Sequence, residues 1–326
     1  MPPRKGLRPE TRKALREWYA ENGRDLPWRR TRDSYPVLIS EIMLQQTQVA
    51  TGLPYWLRWM ERFPTIESLA SATEDEVLAH WQGLGYYRRA RNLHEAAQKI
   101  ISQGWPKSAK EWRQLPGIGD YTSGALASIT LDEPVPAVDG NVERVFARVE
   151  RCRLTGGKLS AEAKVWALGL VPNDQPGDWN QAMMELGARV CRPRFAECDV
   201  CPLSPDCQSS HQADRHEYPV RIKSTKTQQV ERHHAVFVSE GAIALARIEP
   251  GAWWEGMWEF PEVAAPMGPV IARERHQVTH HRIVSHAYVV SDQPTGSRMF
   301  ELAQVAELAM PAAQRRLLNS VLSELK

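Results

Sequence analysis

Four of the chain's five cysteines lie within one short segment. Cys191, Cys198, Cys201 and Cys207 follow a C-x6-C-x2-C-x5-C spacing. The basic, polar first residues lack the apolar core of a secretory signal, so this cluster is better explained as a metal site than as disulfides. Thiolates at this density bind zinc or an iron–sulfur cluster. One tight C-x2-C pair with wider outer cysteines favours a [4Fe-4S] cluster, and zinc is the alternative.

Arginines surround the first cysteine of this segment, at Arg189, Arg192 and Arg194. A loop that is folded around a metal cluster and carries arginines is suited to grip phosphate groups. The remaining cysteine, Cys152, is expected to be a small buried apolar residue.

The length of 326 residues predicts two domains, because one hydrophobic core rarely grows that large. The formal net charge of +2 is too small to indicate nucleic-acid binding by itself. We find no apolar run of membrane-spanning length. We therefore expect a soluble protein of a reducing compartment.

Apolar spacing and Pro or Gly punctuation predict a helical first two thirds. The chain changes character near residue 208, where a polar, charged stretch resembles a linker, and β-like alternation with a hairpin at Glu240-Gly241 follows. We predict a mainly α fold: an all-helical domain over 1–207, a linker over 208–231 and a smaller α+β domain over 232–326. The predicted helices are 8–21, 35–49, 52–62, 66–71, 74–82, 87–103 and 108–114, with further helical stretches up to Cys191.

The segment LPGIGD places Gly117 and Gly119 between two predicted helices, at about 108–131. Glycines allow a tight turn whose backbone N–H groups point outward at a helix start, which is a phosphate-binding arrangement. The alternative is an ordinary turn between two helices. The flanking helices and small residues make the stretch similar to the helix-hairpin-helix of DNA glycosylases.

Asp139 follows a Pro-rich turn and begins a predicted helix. An aspartate there commonly caps the helix N-terminus, and the alternative is a carboxylate that faces a ligand. The order of hairpin, helix, Pro-rich turn and aspartate resembles the helix-hairpin-helix Gly-Pro-Asp superfamily of base-excision glycosylases.

Glu41 lies in a predicted helix that is apolar on most sides, with Gln45 one turn later on the same face. Most helix glutamates are solvated. A carboxyl group in apolar surroundings instead has a raised pKa and can act as an acid.

Six segments together resemble the adenine DNA glycosylases of the MutY type. They are SEIMLQQTQV, GLGYYRRARNLH, LPGIGDYT, VDGNVERV, AMMELGARVC and the cysteine loop. The resemblance implies that Glu41 protonates adenine at N7 and that Asp139 stabilises the sugar oxocarbenium ion, directly or through a transient covalent adduct. Tyr121 and Asn141 would support that centre.

The same resemblance implies further roles. The adenine pocket would contain Arg24, Trp28 and Glu185. Gln46 and Tyr86 would fill the duplex gap or wedge between bases when adenine flips out, and Thr47 would touch the opposite base.

Arg88, Arg89 and Arg91 follow two tyrosines, which fits contacts to phosphates and stacked bases, although a solvated basic helix face is the common alternative.

Tyr121 stands where bifunctional relatives carry a lysine, two residues after the second hairpin glycine. Without that amine no Schiff base forms with the sugar. We therefore expect hydrolytic base removal without efficient strand cleavage.

The segment Trp254–Pro261 resembles part of the Nudix fold, but the glutamate-rich helix that binds magnesium in those enzymes is missing. A lesion-recognition domain, as in the MutY family, is the expectation. The family's Phe-Ser-His loop would correspond to Val284, Ser285 and His286, with valine in place of the stacking aromatic residue. His280 and His281 have no cysteine or carboxylate beside them, and strand histidines of this kind are usually not metal ligands.

The resemblance implies a monomer in the bacterial cytoplasm, associated with the nucleoid, that binds duplex DNA containing A·8-oxoguanine or A·G mispairs. A sliding clamp or downstream repair enzymes are partners that the sequence leaves open. The alternatives are a glycosylase of the same scaffold for another mispaired or oxidised base, and a non-catalytic iron–sulfur DNA-binding protein.

Overall fold

The computed structural model describes residues 6–220 and 227–325. The basic N-terminal segment before Gly6 and residues 221–226 of the predicted linker lie outside the described residues. The chain divides into two compact units: unit 1 contains residues 6–48 and 95–220, and unit 2 contains residues 49–94 and 227–325.

Helices fill the chain up to the cysteine loop, and strands follow it, so the predicted fold class is confirmed. No described helix combines the length and apolar character that crossing a membrane requires. The helices α1 to α13 are Pro9–Asn22, Ser34–Met43, Val49–Arg62, Ile66–Ala70, Glu74–Trp81, Arg88–Gln103, Ala109–Trp112, Asp120–Thr130, Gly140–Val149, Gly156–Leu168, Pro176–Arg189, Leu302–Val305 and Ala312–Glu324.

Two helix predictions need correction. The helix predicted over 35–49 ends at Met43, because residues after it turn and Gln46 adopts a left-handed φ of 57°. Gln45 therefore follows the helix instead of sharing a helical face with Glu41. Helix α10 was not predicted; it begins at Gly156-Gly157 after the N-cap residue Thr155, whose side chain accepts no capping hydrogen bond.

The core of unit 1 gathers around α9, whose apolar residues recur at Val142, Val145, Phe146 and Val149. Phe146 packs on Trp166 of α10 with ring centroids 5.5 Å apart. Burying such a ring stabilises the fold by about 2–3 kcal/mol. This packing fixes α9, whose N-terminus carries Asp139.

Helix α11 packs against α8 and α9 through two glycines. A Cβ at Gly187 would lie 2.6 Å from the Cβ of Asn141, and one at Gly177 would lie 2.7 Å from the backbone of Ser128 and Ile129. Because real Cβ atoms do not approach so closely, both positions require glycine. The close packing brings α11 beside the start of α9.

The strands belong to unit 2 and form two sheets. The first has the order β5-β1-β7-β6, with β1 and β7 parallel, and the second has the order β2-β3-β4, with β8 paired to β3. The predicted hairpin at Glu240-Gly241 is confirmed, since both residues have positive φ and join β2 to β3. The strands β1 to β8 are Gln228–Val236, Val238–Ser239, Ala242–Arg247, Trp258–Glu259, Glu262–Val263, Ala272–Val278, His281–Val289 and Arg298–Glu301.

Candidate active site

An open cavity in unit 1 collects residues from three places in the chain. They come from the end of α2 and the turn after it, from the first turn of α8 and from the N-terminus of α9. The cavity has about 1050 Å³ of empty space, part of it solvent, and is lined by Glu41, Leu44, Gln45, Gln46, Thr47, Gln48, Tyr121, Asp139, Gly140 and Asn141.

Glu41 is buried at the inner end of α2, with 8% of its surface exposed. Its Oε2 accepts a hydrogen bond of 2.8 Å from the Tyr121 hydroxyl. Burial raises the pKa of Glu41 to about 7, against the Tyr121 hydrogen bond, which lowers it. The nearby charge of Asp139 raises it further and Arg29 lowers it. At neutral pH a large fraction of this carboxyl group therefore carries a proton.

Asp139 caps α9 and also lines the cavity, so the two interpretations of this residue hold together. Its Oδ1 accepts from the Val142 backbone N–H at 2.8 Å, and its Oδ2 accepts from the Asn141 amide at 2.7 Å. Burial raises the pKa of Asp139, and these hydrogen bonds oppose the rise. Asn141 thus fixes the orientation of the carboxylate.

Tyr121 lies between the two carboxyl groups and α11. Its hydroxyl contacts both Glu41 and the Met184 sulfur, at 3.1 Å from the latter. Burial, with the charges of Glu41 and Asp139, raises the pKa of Tyr121 well above its usual range. The residue is therefore a neutral phenol.

Glu185 is completely buried on α11, in a cage of arginines. Arg24 donates from Nε at 2.7 Å and Nη2 at 2.8 Å, and Arg29 donates from Nη2 at 2.8 Å. Burial would raise the pKa of Glu185, but these arginines outweigh it and lower the pKa to about 2. Trp28, also buried, precedes Arg29 in the 3-10 turn Pro27–Arg29.

Arg29 was not among the predicted pocket residues. Its contact with Glu185 joins residues 156 positions apart in the chain, so local spacing carries no signal for it.

The turn after α2 presents its glutamines and Thr47 to the cavity. The Gln45 amide donates to the Thr122 hydroxyl at 3.1 Å, whereas Gln46 is exposed and strained at φ 57°. A strained backbone conformation such as that of Gln46 is common at functional sites.

The hairpin has the expected geometry. Gly117 has a φ of 74°, which favours glycine, and Gly119 precedes α8 as an N-cap without a side-chain hydrogen bond. The backbone groups at this helix start are thus open to an acceptor. Asp120 is held by Arg113, at 2.5 Å, and by Lys164, and these bonds lower its pKa.

The tyrosine and arginines of the second motif belong to unit 2. Tyr86 is 52% exposed with a left-handed φ of 50°, and Arg88 is exposed. Arg89 is buried and donates to the carbonyls of Leu84 and Gly85. Arg91 pairs with Glu74 at 3.3 Å. Of the three arginines, Arg88 is therefore the best placed for an external phosphate.

The four cysteines Cys191, Cys198, Cys201 and Cys207 line one cavity of about 330 Å³, part of it open space. Burial raises the pKa of Cys201 to about 12 and that of Cys207 to about 11. Among the described residues, no three His, Cys, Asp or Glu side chains converge as the ligands of a single metal ion would.

Two buried arginines on α9 connect the cysteine loop to the start of that helix. Arg148 donates to the Cys191 sulfur at 3.2 Å and to the carbonyls of Arg192 and Pro193. Arg144 donates to the Cys191 carbonyl and to Oδ1 of Asn141, each at 2.8 Å. Sequence reasoning missed both. Their i, i+4 spacing opposite the apolar stripe of α9 was the available signal.

Ser285 and His286 lie inside strand β7, so they do not form the loop that was expected. Ser285 is 2% exposed and pairs with Arg232 and Glu274 of the neighbouring strands. The His286 ring stacks on His233 at 5.3 Å. Neither side chain makes a hydrogen bond with the part of the chain that the structure describes.

Comparison with known proteins gives the family. Residues 39–168 match the model of the HhH-GPD superfamily base excision DNA repair proteins. The adenine DNA glycosylase of Buchnera aphidicola subsp. Acyrthosiphon pisum is 36% identical over 252 residues, which are 75% of this chain and 72% of that protein. The chain belongs to the adenine DNA glycosylase family. The resemblance that the sequence motifs indicated is thereby confirmed.

Family members from eukaryotes are longer. The human adenine DNA glycosylase is 38% identical over 272 residues, which cover 79% of this chain and 50% of the human protein. The chain therefore spans about half the length of such relatives.

The fold has solved neighbours. A thermostable thymine-DNA glycosylase superimposes with a TM-score of 0.54 at 27% identity, over 61% of this chain and 96% of that one. Endonuclease III in a non-covalent DNA complex gives a TM-score of 0.53 at 23% identity, over 61% of this chain and 94% of that chain, which shows the shared fold.

Proposed function

We propose that the protein hydrolyses the N-glycosidic bond of adenine mispaired with 8-oxoguanine or guanine in duplex DNA. Membership of the adenine DNA glycosylase family supports this proposal. The observation that carries it is the pair of carboxyl groups, Glu41 and Asp139, on one cavity, with Glu41 buried and its pKa raised to about 7.

The two carboxyl groups divide the chemistry. Protonated Glu41 donates its proton to N7 of the extruded adenine and turns the base into a neutral leaving group. Asp139, held by Asn141 and the Val142 N–H, faces the positive charge that develops on the sugar. Water then completes the hydrolysis. Paired carboxyl groups serve glycoside hydrolases in the same way.

We propose that the base pocket includes Glu185, as the family resemblance implies; it is fully buried and is not among the residues that line the cavity of Glu41 and Asp139. Its carboxylate accepts hydrogen bonds and is held rigidly by Arg24 and Arg29. A fixed acceptor of this kind suits the exocyclic amino group of adenine, which donates. A pyrimidine with a carbonyl in that place would face an acceptor with no proton to offer.

We further propose that the enzyme is monofunctional. The phenol of Tyr121 occupies the position of the lysine in bifunctional relatives and is neutral. No amine is supplied at this position for a Schiff base. In the test, wild-type protein should leave intact abasic strands until base is added, and Tyr121→Lys should introduce nicking. Efficient nicking by the wild type would contradict the proposal.

A [4Fe-4S] cluster fits the cysteine loop, since four thiols line one cavity and the Arg148 guanidinium approaches the Cys191 sulfur. Cys191, Cys198, Cys201 and Cys207 would hold it. The cluster would supply structural cross-linking of the loop, and Arg192 and Arg194 would lie on the DNA side. Purified protein should be brown and contain iron; a colourless zinc protein would overturn this assignment.

The decisive assay uses duplexes that carry each base opposite guanine or 8-oxoguanine. Adenine should be released, and thymine or oxidised pyrimidines should not. Release of thymine would favour the alternative that the thermostable thymine-DNA glycosylase exemplifies. Duplex binding without release of any base would favour a non-catalytic DNA-binding protein.

The strand-containing region is proposed to read the lesion opposite adenine through Ser285 and His286, whose side-chain polar atoms are buried without a hydrogen-bond partner in the described residues. Ser285→Ala and His286→Ala should each reduce the preference for 8-oxoguanine over guanine, with activity on A·G as the reference. A monomer in the bacterial cytoplasm is the proposed setting.

A further inference from the structure

The cavity of the four cysteines is also lined by three serines, Ser204, Ser209 and Ser210. None of them was among the predicted site residues. The hydroxyl groups of Ser204 and Ser210 lie 2.5 Å apart, so each is the hydrogen-bond partner of the other. Ser209 has no such pairing.

Ser209 carries a buried hydroxyl group without a partner. Only 1% of the residue is exposed, and its Oγ makes no hydrogen bond within residues 6–220 and 227–325. A polar group left without a partner in the interior costs about 1–3 kcal/mol. Such a group is accounted for when a bound molecule accepts its hydrogen bond.

The backbone holds Ser209 beside a proposed cluster ligand. The residue follows Cys207 by two positions, and its backbone N–H bonds the Cys207 sulfur. The preceding N–H, of Gln208, donates to the Val149 carbonyl at 3.0 Å and ties the segment to the end of α9. Ser209 is therefore fixed on the wall of the cavity by its own backbone and by that of its neighbour.

The lining of the cavity indicates what the hydroxyl would bind. Arg148 donates from Nη1 to the Cys191 sulfur at 3.2 Å. Arg215 is on the same wall, and its buried Nε has no partner in the part of the chain that the structure describes. The carboxylate of Glu197, which also lines the cavity, is occupied by Arg192. Donors thus gather around the cysteines, and the acceptors that suit them are sulfur atoms.

The sulfur atoms of an iron–sulfur cluster accept such hydrogen bonds, and these bonds help to set its reduction potential. The sulfurs carry more negative charge in the reduced form than in the oxidised form. A donor therefore stabilises the reduced form more, and it raises the reduction potential.

We propose that the Ser209 hydroxyl donates a hydrogen bond to a sulfur of the [4Fe-4S] cluster and thereby raises its reduction potential. Ser209 is a positioning residue for the cofactor and has no part in the chemistry of Glu41 and Asp139. The inference rests on the proposed cluster in the cysteine loop, and not on the release of adenine.

The test is voltammetry of the iron-loaded full chain, with Ser209→Ala compared with the wild type. Loss of the hydroxyl should shift the one-electron equilibrium towards the oxidised form by about threefold to tenfold, and tenfold corresponds to a potential about 59 mV lower. Ser210→Ala is the matched control, because that hydroxyl is on the same wall but is already paired with Ser204. It should leave the potential in place.

A pair of variants with nearly the same shape separates the hydroxyl from the volume of the side chain. Ser209→Thr keeps the hydroxyl and should have a potential near that of the wild type, whereas Ser209→Val lacks it and should behave like Ser209→Ala. Equal potentials in Ser209→Thr and Ser209→Val, or a wild-type potential in Ser209→Ala, would overturn the proposal.

Iron content, measured on every preparation, makes the outcomes distinguishable. Failure of Ser209→Ala and Ser209→Val to hold iron would assign the hydroxyl to assembly of the cluster and would also overturn the proposal. An iron-free wild type would overturn the cluster assignment and the role of Ser209 together. Adenine release is measured separately on the wild type, so its failure would refute the glycosylase proposal and leave the role of Ser209 standing.

Discussion

Two glutamates of unit 1, both buried, lie in opposite surroundings. Glu41, at the end of α2, has one neutral neighbour in hydrogen-bond contact, the phenol of Tyr121, and its pKa rises to about 7. Glu185, on α11, accepts hydrogen bonds from Arg24 and Arg29, and its pKa falls to about 2. Burial pushes both pKa values upward; the hydrogen bonds and charges of the arginines outweigh it at Glu185, whereas the Tyr121 hydrogen bond and the charge of Arg29 do not outweigh it at Glu41.

This difference separates a proton donor from a fixed acceptor within one helical unit. The same side chain serves as an acid where its hydrogen-bond donor is a neutral phenol and as a permanent anion where guanidinium groups donate to it. Removal of each carboxylate should consequently damage different properties of the protein, which makes the comparison testable.

The largest expected effect is on catalysis. Glu41→Gln removes the proton donor but keeps the size of the side chain, so adenine release in a single turnover should fall by about a thousandfold or more. Duplex affinity should remain. Glu21→Gln, at an exposed position of α1, is the control. A rate of adenine release within about tenfold of the wild type would show that Glu41 is not the proton donor.

The next effect is on stability. Glu185→Gln leaves Arg24 and Arg29 without their buried carboxylate, and the free energy of unfolding in urea should fall by about 3 kcal/mol. In the wild type the lowered pKa of Glu185 stabilises the fold above pH about 4.5, and this stabilisation is lost as the pH falls towards about 2. The variant should lose less stability over that acidic range. If the wild type and Glu185→Gln lost the same stability over this range, the ionic pairing of Glu185 with Arg24 and Arg29 would be contradicted.

The pH dependence of Glu41 has the opposite sign. Its raised pKa means that the protonated form stabilises the fold fully below pH about 4.5, and this contribution is lost as the pH rises through about 7. The single-turnover rate should be level below pH 7 and fall about tenfold per unit above it. A rate that rises with pH across this range would show that an ionised Glu41 is the active form.

The two glutamates also show what sequence reasoning reaches. The helix around Glu41 is apolar on most sides, so its burial and raised pKa follow from local spacing. The cage around Glu185 depends on Arg24, 161 positions away, and on Arg29. Contacts over such distances are set by packing, here by the close approach of α11 that Gly177 and Gly187 permit.

Helix and strand boundaries were likewise predicted well only where the local sequence marks them. Helices with Pro or Gly at their ends were predicted closely, as for α1 at Pro9–Asn22. The end of α2 was predicted six residues too late, because no Gly or Pro marks it and the stop depends on the left-handed Gln46. Ser285 was placed in a loop by resemblance, whereas the β-like alternation of its own segment is confirmed as strand β7, whose register with β1 and β6 buries Ser285 in a sheet. Pairing between distant strands is not visible in local sequence.

The smallest expected effect is a shift in the pKa of Glu41, the glutamate whose hydrogen-bond partner is neutral. Tyr121→Phe removes the hydrogen bond that lowers the pKa of Glu41, so this pKa should move above about 7 and the pH–rate profile should shift to higher pH. The lost hydrogen bond should cost about 1 kcal/mol of stability. Tyr19→Phe, which lies near Arg29 but contacts neither carboxyl group of the cavity, should leave the midpoint in place. A midpoint that shifts to lower pH in Tyr121→Phe would mean that the phenol holds Glu41 in its protonated form, the reverse of the arrangement inferred from burial and geometry.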